Sequence, residues 1–473
     1  MVHGSDFLQL DPHGVVPGRR ADWLSGRLRT AVADGTVQLG SRLPATRTLA
    51  AELGFARGTV SEAYGRLIEE GVLTTNRGGG TTVAARPATP RQDPGRSDRP
   101  VGPAPRRTVG AADEQPIDLD SGVPDLSAFP RGAWLRAERR VLERATSRQL
   151  GYAPPQGVGE LRQELAGWLA QSRGVAATAD QIVITGGVTG AVSLIYQLLA
   201  QRGEDVVAVE DPSAEGNRRV LQHWARRTVG VGVDVDGIDT DALGATDARA
   251  VVVTPAHQYP TGTVLSAERR RSLLDWANVN DGLIIEDDYD AEYRYDRAPV
   301  RALQPLDPDH VAYTASLSKT LAPALRLGWL IPPDSLLDKV IERRWAIDLG
   351  APALPQLVLA ELLRSGVLAR HLRSMRVRHR ARRDALIAAV TERLPGCTIG
   401  GIAAGIYLLI MIPADLDDAE LAERARARGV LLQPLSRHRI APGPPGLIMT
   451  YADHSPDRLS TAVDRLAAIW PRN

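Results

Sequence analysis

The sequence predicts an α/β protein in two parts, a small unit of three helices and a hairpin followed by a much larger domain built on a largely parallel β-sheet. Two observations support this. Apolar runs of strand length alternate with helical patterns over most of the chain, which favours parallel strands covered by helices on both faces. The 473 residues also exceed one ordinary domain. We place the parts at residues 1–84 and 114–473, joined by residues 85–113.

The first part predicts a helix-turn-helix. Apolar positions at helical spacing indicate helices over residues 21–33, 45–53 and 57–70. The second ends at Gly54, and such a pair places its second helix in the major groove of DNA. Residues 72–83 then predict a hairpin with a glycine-rich tip, a wing. On periodicity alone, a solvated helical bundle is the alternative.

Short sequence strings in this part closely resemble the winged helix-turn-helix of the GntR regulators: Leu43-Pro44-Ala45-Thr46-Arg47, Arg57-Gly58-Thr59-Val60 and Ala63-Tyr64. The resemblance implies that Arg47 and Arg57 contact DNA, with Arg57 able to fork onto a guanine edge. It also implies that Thr59 holds a phosphate and that Arg77 and Gly78 enter the minor groove at the wing.

Residues 85–113 predict a flexible linker. They are rich in proline, arginine, glycine and alanine and show no apolar periodicity. A flexible chain of this length spans on the order of 30 Å root-mean-square, and more where proline stiffens it.

The overall composition excludes several classes of protein. The formal net charge of +1 gives no global attraction to nucleic acid, so DNA binding requires a local patch. Cys397 is the only cysteine, which excludes an internal disulfide framework and a cysteine-rich metal site, and we expect no metal. We expect neither a leader nor a transmembrane segment, because we find no basic and apolar start and no apolar run of membrane-spanning length. We therefore expect a soluble cytoplasmic protein.

Lys319 is the residue around which the second part is interpreted. Of 57 basic residues, only Lys319 and Lys339 are lysine. A primary amine can lose its proton and form a Schiff base with a carbonyl, whereas a guanidinium stays protonated. A lysine in the string Ser316-Leu317-Ser318-Lys319 of so arginine-rich a chain indicates a position at which arginine would not serve. A surface lysine present by chance is the alternative.

Two stretches upstream of Lys319 suggest what its amine would meet. The apolar run 283–285 ends in Glu286-Asp287-Asp288-Tyr289, which indicates a buried strand that delivers carboxylates to a sheet edge. A carboxylate there could pair with a pyridine nitrogen, and a tyrosine could bond a phenolic oxygen. The glycine-rich stretch 185–190 lies between a strand and a helix pattern, where backbone N–H groups can approach a phosphate. Together these features would hold pyridoxal phosphate (PLP), although each alone is a weak signal.

From about residue 115 to the C-terminus, the chain resembles a class I/II aminotransferase of fold type I, the PLP-dependent fold also used in bacterial regulators. Two blocks carry the likeness: Gly151-Tyr152 with Pro155, Gly157, Leu161 and Arg162, and Thr254-Pro255-Ala256-His257-Gln258-Tyr259-Pro260-Thr261-Gly262. The His-Gln form of the second block is typical of the regulators.

This resemblance implies a role for each candidate residue. Lys319 would be the aldimine lysine, Tyr289 the partner of the phenolic oxygen, and Asp287 the partner of the pyridine nitrogen, with Asp288 as the alternative if the register shifts by one. Tyr152 would reach the phosphate from the other subunit of a homodimer. The remaining phosphate ligands would be Gly187, Val188, Thr189, Ser316, Ser318 and Arg326.

A GntR-like reader joined to an aminotransferase-like domain is the layout of the MocR/PdxR regulators, and the resemblance covers nearly the whole chain. It implies a dimeric, PLP-dependent transcriptional regulator that binds a double-stranded DNA operator. Its second domain would sense PLP, or an amine or amino-acid ligand, through the aldimine at Lys319.

Three departures from working transaminases favour a regulator over a catalyst. Ala214 stands where an aromatic residue stacks on the cofactor ring, Tyr259 stands where enzymes place an asparagine, and Ile448 stands where an arginine grips the substrate carboxylate. An aliphatic side chain cannot replace that bidentate clamp, although Arg437 or Arg439 could supply a compensating cation. The alternatives are an aminotransferase with an appended DNA-binding domain and a regulator of this fold that no longer binds PLP.

Overall fold

The structure is a computed structural model, and it describes residues 10–76, 80–87, 116–296 and 300–471. The chain divides into two compact units, residues 1–107 and 108–473. Each unit is described by itself. Arg77, Gly78 and most of the linker predicted at 85–113 lie outside the described residues.

The first unit is a winged helix-turn-helix. It contains helices α1 (Arg20–Ala33), α2 (Thr46–Leu53) and α3 (Arg57–Glu69), followed by an antiparallel hairpin of strands β1 (Leu73–Asn76) and β2 (Gly80–Val83). Gly54 ends α2 with a φ of 65°, so the chain turns into α3 within three residues. The Tyr64 hydroxyl donates to the carbonyl of Pro44 at 2.9 Å and ties α3 to the loop before α2. The predicted helices agree with these bounds to within a residue or two.

The second unit is organised on an eight-stranded sheet. Its spatial order is β4 (Val183–Thr185), β11 (Gly328–Ile331), β10 (Val311–Ser316), β9 (Leu283–Asp288), β8 (Ala250–Val253), β5 (Val206–Asp211), β6 (Arg227–Asp234) and β7 (Gly237–Ile238). Strands β10, β9, β8, β5 and β6 are parallel to their neighbours in that series. Strand β11 is antiparallel to β4 and β10, and β7 is antiparallel to β6. The sheet is therefore largely parallel, as predicted.

Both faces of this sheet are covered. Val207 and Val209 of β5 pack into one apolar cluster, and Val206 and Ala208 pack into another, because alternate side chains of a strand point to opposite faces. The helices before and around the sheet are α4 (Arg131–Arg144), α5 (Gly159–Arg173), α6 (Val188–Gln201), α7 (Glu215–Leu221), α8 (Thr240–Gly244), α9 (Ala267–Asn280) and α10 (Asp334–Asp348).

The C-terminal part of the second unit carries its own antiparallel sheet. Strands β12 (Thr398–Ile399), β13 (Tyr407–Met411), β16 (Gly446–Thr450) and β15 (Gln433–Pro434) lie in that order, with helices α11 (Ala353–Arg364), α12 (Val367–Arg393), α13 (Asp418–Ala427) and α14 (Pro456–Ala467). Strand β3 (Ile117–Asp118), at the start of the unit, pairs in parallel with β14 (Val430–Leu431). The first residues of the unit are thus attached to its C-terminal part.

Within the described residues, no helix combines the length and the apolar character that a membrane crossing requires.

Candidate functional site

A cavity of about 400 Å³ lies in the second unit, beside the ends of β5, β9 and β10. The carboxyl ends of parallel strands meet at one sheet edge, which is where open α/β sheets bind ligands, and the volume is within the range of small-molecule sites. The structure brings most of the predicted PLP ligands to this cavity. They are Val188, Thr189, Asp287, Tyr289, Ser316, Ser318, Lys319 and Arg326.

Lys319 follows β10 by three residues, and its Nζ donates to the carbonyl of Gly122 at 2.5 Å. Burial lowers the pKa of the Lys319 amine, while the charges of Asp290 and Asp287 act in the opposite direction. A lowered pKa increases the fraction of neutral amine, the form that attacks a carbonyl. The environment of Lys319 therefore suits a Schiff-base lysine.

The two adjacent aspartates at the end of β9 point to opposite sides of the sheet. Asp287 lines the cavity, and its Oδ2 accepts from Asn217 at 3.2 Å. Asp288 lies on the other side, where its Oδ2 accepts from Arg173 and from the Tyr313 hydroxyl, each at 2.6 Å. Asp288 is thereby held in a buried ion pair away from the cavity. The register supports Asp287, and not Asp288, as the partner of a ligand.

The environment of the Asp287 carboxylate suits a positively charged hydrogen-bond donor. Its side chain is 6% exposed, and its Oδ1 has no hydrogen-bond partner among the described residues. Burial, with the charges of Asp288 and Asp290, raises the pKa of Asp287 to about 7. A buried carboxylate oxygen without a partner is costly. The protonated pyridine nitrogen of PLP carries both the N–H and the positive charge that this oxygen lacks, so the site fits that cofactor.

Tyr289 lies in the same wall, among other aromatic side chains. Its hydroxyl donates to the carbonyl of His257 at 2.9 Å and is 3.2 Å from the Tyr407 hydroxyl. The His257 ring is held in turn by Asp290, at 3.1 Å from Nδ1. These contacts fix the Tyr289 ring at the cavity edge, where a phenolic oxygen of a ligand would compete for its hydroxyl.

The N-terminus of α6 has the features of a site for an anion. Gly187 precedes the helix with a φ of 91° and no side chain caps the first turn, so the first backbone N–H groups remain open. The Arg326 guanidinium donates to the carbonyl of Gly186 and lies against Gly187, where a Cβ would be 3.4 Å from both of its Nη atoms. Gly187 is not part of the cavity lining, but the turn that it forms aims the helix terminus there. This arrangement has the open N–H groups and the cation that a phosphate requires.

Tyr152 is not near this cavity in the chain itself. It is 90% exposed and does not line the pocket. Its predicted role requires a second subunit and stays a prediction.

Sequence reasoning missed several polar residues of the lining, among them Asn217, Arg218, Gln433 and His438. His438 Nε2 lies 2.5 Å from Gln433 Oε1, and its Nδ1 is the acceptor for the backbone N–H of Glu215 at 3.4 Å. Burial lowers the pKa of His438 to about 4, so its ring is neutral at pH 7. Asn217 and Arg218 closely follow Ala214 in the sequence, whereas Gln433 and His438 belong to β15 and the helical turn after it, for which the sequence carried no signal.

In the first unit, the predicted DNA-contacting residues lie at two helix N-termini. Arg47 is the second residue of α2 and Arg57 is the first residue of α3, and both are exposed. Neither forms an ion pair with any residue that the structure describes. No side chain caps α3, so the backbone N–H groups of Arg57 and Gly58 are open, whereas that of Thr59 donates to the carbonyl of Ala56 at 3.0 Å. Open N–H groups and free guanidinium groups are what a DNA phosphate backbone requires.

Comparison with known proteins identifies both units. Residues 114–466 match the family of class I and II aminotransferases, and residues 21–83 match the gntR family of bacterial regulatory proteins. The chain is 32% identical over 455 residues to the HTH-type pyridoxine biosynthesis transcriptional regulator PdxR of Corynebacterium glutamicum, with 96% of each chain covered. It is also 32% identical over 481 residues to the probable rhizopine catabolism regulatory protein MocR of Rhizobium meliloti, with 98% of this chain and 96% of the relative covered. The chain belongs to the MocR/PdxR-type transcriptional regulators.

The fold of the second unit of this MocR/PdxR-type regulator is that of the aminotransferases. A solved archaeal alanine:glyoxylate aminotransferase superposes with a TM-score of 0.70 at 28% identity, over 76% of this chain and 91% of that enzyme. The predicted fold class is therefore confirmed. GntR-type regulators bind DNA operators, which assigns the first unit its partner.

The three departures from transaminases are distributed differently around the cavity of this MocR/PdxR-type regulator. Ala214 and Tyr259 line it, whereas Ile448 is 1% exposed and packs into the core. Of the two compensating cations that the sequence offered, Arg437 lines the cavity and Arg439 does not. The position at which transaminases hold a substrate carboxylate is thus apolar here.

Proposed function

We propose that this MocR/PdxR-type regulator binds PLP in the cavity beside Lys319 and changes its operator affinity when PLP, or an amine that reacts with it, is present. The observation that carries this proposal is Asp287, a buried carboxylate with one unpartnered oxygen in a cavity that Lys319 also lines. The aminotransferase family to which the second unit belongs supports the same cofactor.

Each end of the cofactor would be held by residues of this chain. Asp287 would accept from the pyridine N–H, and Tyr289 would donate to the phenolic oxygen. The phosphate would lie at the N-terminus of α6, with Arg326, Ser316, Ser318 and Thr189 around it. When bound, PLP supplies an aldehyde that condenses with a primary amine, and Lys319 is the amine in reach.

A hydrogen bond of Lys319 offers a route from the cavity to the DNA-binding unit. Lys319 Nζ donates to Gly122, and three residues later Asp125 accepts from Arg378 and Arg382 of α12. Engagement of the Lys319 amine by a carbonyl would remove its bond to Gly122. That segment continues N-terminally into the linker proposed at residues 85–113, which leads to the proposed DNA-binding domain at 1–84. A ligand shifts operator affinity only if it binds two such arrangements unequally.

We also propose that the regulator acts as a cytoplasmic homodimer. Leu150 and Tyr152 are 59% and 90% exposed, and Trp345 and Ile347 of α10 are 57% and 52% exposed. The two stretches are neighbours, since a Cβ on Gly350 would lie 3.0 Å from the Cα of Pro155. Exposed apolar patches of this kind mark protein–protein contacts. A dimer formed here would bring Tyr152 to the partner, and paired readers would gain avidity for paired half-sites.

The visible absorption spectrum tests the cofactor proposal. The purified chain titrated with PLP is expected to develop the band of a lysine-bound cofactor, and Lys319→Ala is expected to lack it. Lys339→Ala is the matched control, because Lys339 is the other lysine and is exposed on α10. A band that persists in Lys319→Ala would refute attachment at Lys319.

Operator binding tests the sensing proposal. Gel shifts with and without PLP are expected to give different operator affinities for the parent and the same affinity for Lys319→Ala. Unchanged binding by the parent would remove the sensing claim. Sustained transfer of amino groups to an oxoacid would instead support the aminotransferase alternative.

A further inference from the structure

We propose that the effector amine of this cavity carries no carboxylate, and that a diamine is bound in preference to an amino acid of the same length. The inference rests on the proposed function, because it assumes that the phosphopyridoxyl group occupies the part of the cavity around Asp287 and Lys319. It names the chemical class of the ligand that the remaining part of the cavity accepts.

That remaining part is formed by the start of α7 and by residues 433–438, which are β15 and the helical turn after it, and we call it the α7 wall. Its members are Glu215, Arg218, Gln433, Arg437 and His438, and all of them line the cavity. Among the described lining residues, the cations outside this wall are Lys319 and Arg326, which belong to the cofactor end. A carboxylate of a ligand would therefore have to be gripped by Arg218 or Arg437.

Arg218 is already committed to the backbone. It is 8% exposed, and its guanidinium donates to the carbonyl of His438 at 2.6 Å, to that of Arg437 at 3.1 Å and also to that of Ser213. These bonds tie the 437–438 turn to the start of α7. A ligand carboxylate could use this guanidinium only by leaving buried carbonyl groups unpaired, which is costly.

Arg437 is already neutralised. Its Nε donates to Glu215 Oε2, and its Nη1 lies 3.9 Å from Asp120 Oδ2. Burial raises the pKa of Glu215, but the hydrogen bond and the charge of Arg437 outweigh burial and lower that pKa. Glu215 is therefore ionised at neutral pH. A ligand carboxylate at Arg437 would meet two resident carboxylates that hold the same cation.

The carboxylates around the α7 wall match its guanidinium groups in number, so no positive charge is left over for a ligand carboxylate. The guanidinium groups are those of Arg218, Arg437 and Arg219, whose Nη1 lies 3.9 Å from Glu215 Oε1, and the carboxylates are those of Glu215, Asp120 and Asp211. Asp211 accepts from the backbone N–H groups of residues 440 and 441 at 2.8 Å. His438 adds no positive charge, because its pKa is lowered to about 4 by burial. Like charges repel more strongly in a partly buried site than in water. The wall therefore favours an ammonium group over a carboxylate.

A diamine ligand would explain why this cavity has no counterpart of the arginine with which transaminases hold a substrate carboxylate. The position of that clamp is Ile448, which is buried in the core, and Thr450, two residues further along β16, lines the cavity without a charge. A ligand without a carboxylate needs no cation at this point. Thr450 is an uncharged acceptor to which an ammonium group can donate, whereas Gln433 Oε1 already accepts from the Tyr259 hydroxyl at 3.3 Å and lies 2.5 Å from His438 Nε2.

Two stable ligands allow the binding of a distal ammonium group to be compared with that of a distal carboxylate. N-(5′-phosphopyridoxyl)-1,5-diaminopentane and N-(5′-phosphopyridoxyl)-5-aminopentanoate share the phosphopyridoxyl group and the chain length, and they differ only in the distal ammonium or carboxylate. Calorimetric titration of the full-length protein with each gives the two affinities without any reaction at Lys319. The diamine adduct is expected to bind about tenfold more tightly or better. Equal binding, or tighter binding of the aminopentanoate adduct, overturns the inference and leaves the proposed function standing, whereas failure of both adducts to bind overturns both.

A charge variant tests the assigned cause. Glu215→Gln removes the carboxylate that neutralises Arg437, so the preference for the diamine adduct is expected to fall to about onefold or to reverse. Glu268→Gln makes the same charge change at an exposed site in the first turn of α9 and is expected to keep the parent ratio. Thermal unfolding of both variants confirms that the fold is kept. An unchanged ratio in Glu215→Gln would overturn the role given to the Arg437–Glu215 pair.

Discussion

The substitution Asp287→Asn separates two effects of the buried Asp287 carboxylate: the stability that it costs the protein without PLP and the stabilisation that it contributes when PLP binds. In the protein without cofactor, burial raises the pKa of Asp287 from 3.8 to about 7. The native state then keeps a proton that the unfolded chain has released between these pH values. The stability of the parent is therefore expected to fall as the pH rises through that window.

The magnitude follows from the same rise in pKa. At 1.36 kcal/mol for each pH unit, a rise from 3.8 to about 7 corresponds to about 4 kcal/mol at pH 8. An asparagine keeps the shape and still accepts from Asn217, but it does not ionise. Asp287→Asn is therefore expected to be more stable than the parent at pH 8 by up to about 4 kcal/mol, with most of this difference gone at pH 5.

With PLP the order is expected to reverse, because asparagine has no charge to pair with the pyridine N–H. PLP should stabilise the parent strongly and the variant weakly. Urea unfolding at pH 5 and pH 8, with and without PLP, measures the four free energies of unfolding.

The neighbouring residue supplies the control. Asp288→Asn breaks the buried ion pair with Arg173 and is expected to destabilise the protein by about 3–5 kcal/mol with or without PLP. If Asp287→Asn were less stable than the parent at pH 8 without cofactor, or if PLP stabilised both equally, Asp287 would not be a carboxylate held for a cationic ligand.

Two further substitutions test the anion site and the DNA-binding surface. Gly187→Ala places a side chain at a φ of 91° against Arg326 and is expected to weaken PLP binding by about 1–2 kcal/mol in a spectroscopic titration. Gly186→Ala is the control and should change PLP binding little, because no atom lies within 4 Å of its Cβ. Equal losses of PLP affinity in both variants would reject the Gly187 turn as the phosphate site. Arg57→Ala is expected to weaken operator binding by about 1–3 kcal/mol in fluorescence anisotropy without lowering the unfolding temperature, because its side chain is exposed. Arg27, an exposed arginine of α1, supplies the control. An equal loss of operator affinity in Arg27→Ala would show that the loss in Arg57→Ala comes from the change in net charge and not from a specific contact of Arg57 with DNA.

The positions of helices and strands could be predicted from the sequence, whereas the order of the strands in the sheet could not. The buried strand predicted from the apolar run 283–285 is β9, and the helices predicted at 21–33, 45–53 and 57–70 are α1, α2 and α3. Long apolar runs and helical stripes depend on local periodicity, which the sequence carries directly. The order of strands in the sheet and the reversal of β11 depend on contacts between distant residues, and no local pattern specifies them.

The sequence also predicted most of the residues that line the cavity around Lys319, because they occur in short strings whose chemistry is specific. Lys319 stands out as a rare lysine, and the turn at Gly187 lies between a strand and a helix. The sequence could not choose between Asp287 and Asp288, since both end the same apolar run. The choice depends on which side of β9 faces the cavity, and that is decided by the packing of both faces of the sheet.

The charge pairing of the α7 wall depends on tertiary structure alone. The sequence named Arg437 as a candidate replacement for the lost carboxylate clamp, but its partner Glu215 lies 222 positions away in the chain. Whether an arginine is free to bind a carboxylate depends on the charges that fold around it, and these come from α7 and from the segment after β3. The sequence by itself determined the two domains, the family and the lysine. The three-dimensional arrangement determined which aspartate faces the ligand and which charges the ligand meets, because both depend on residues that are brought together only by folding.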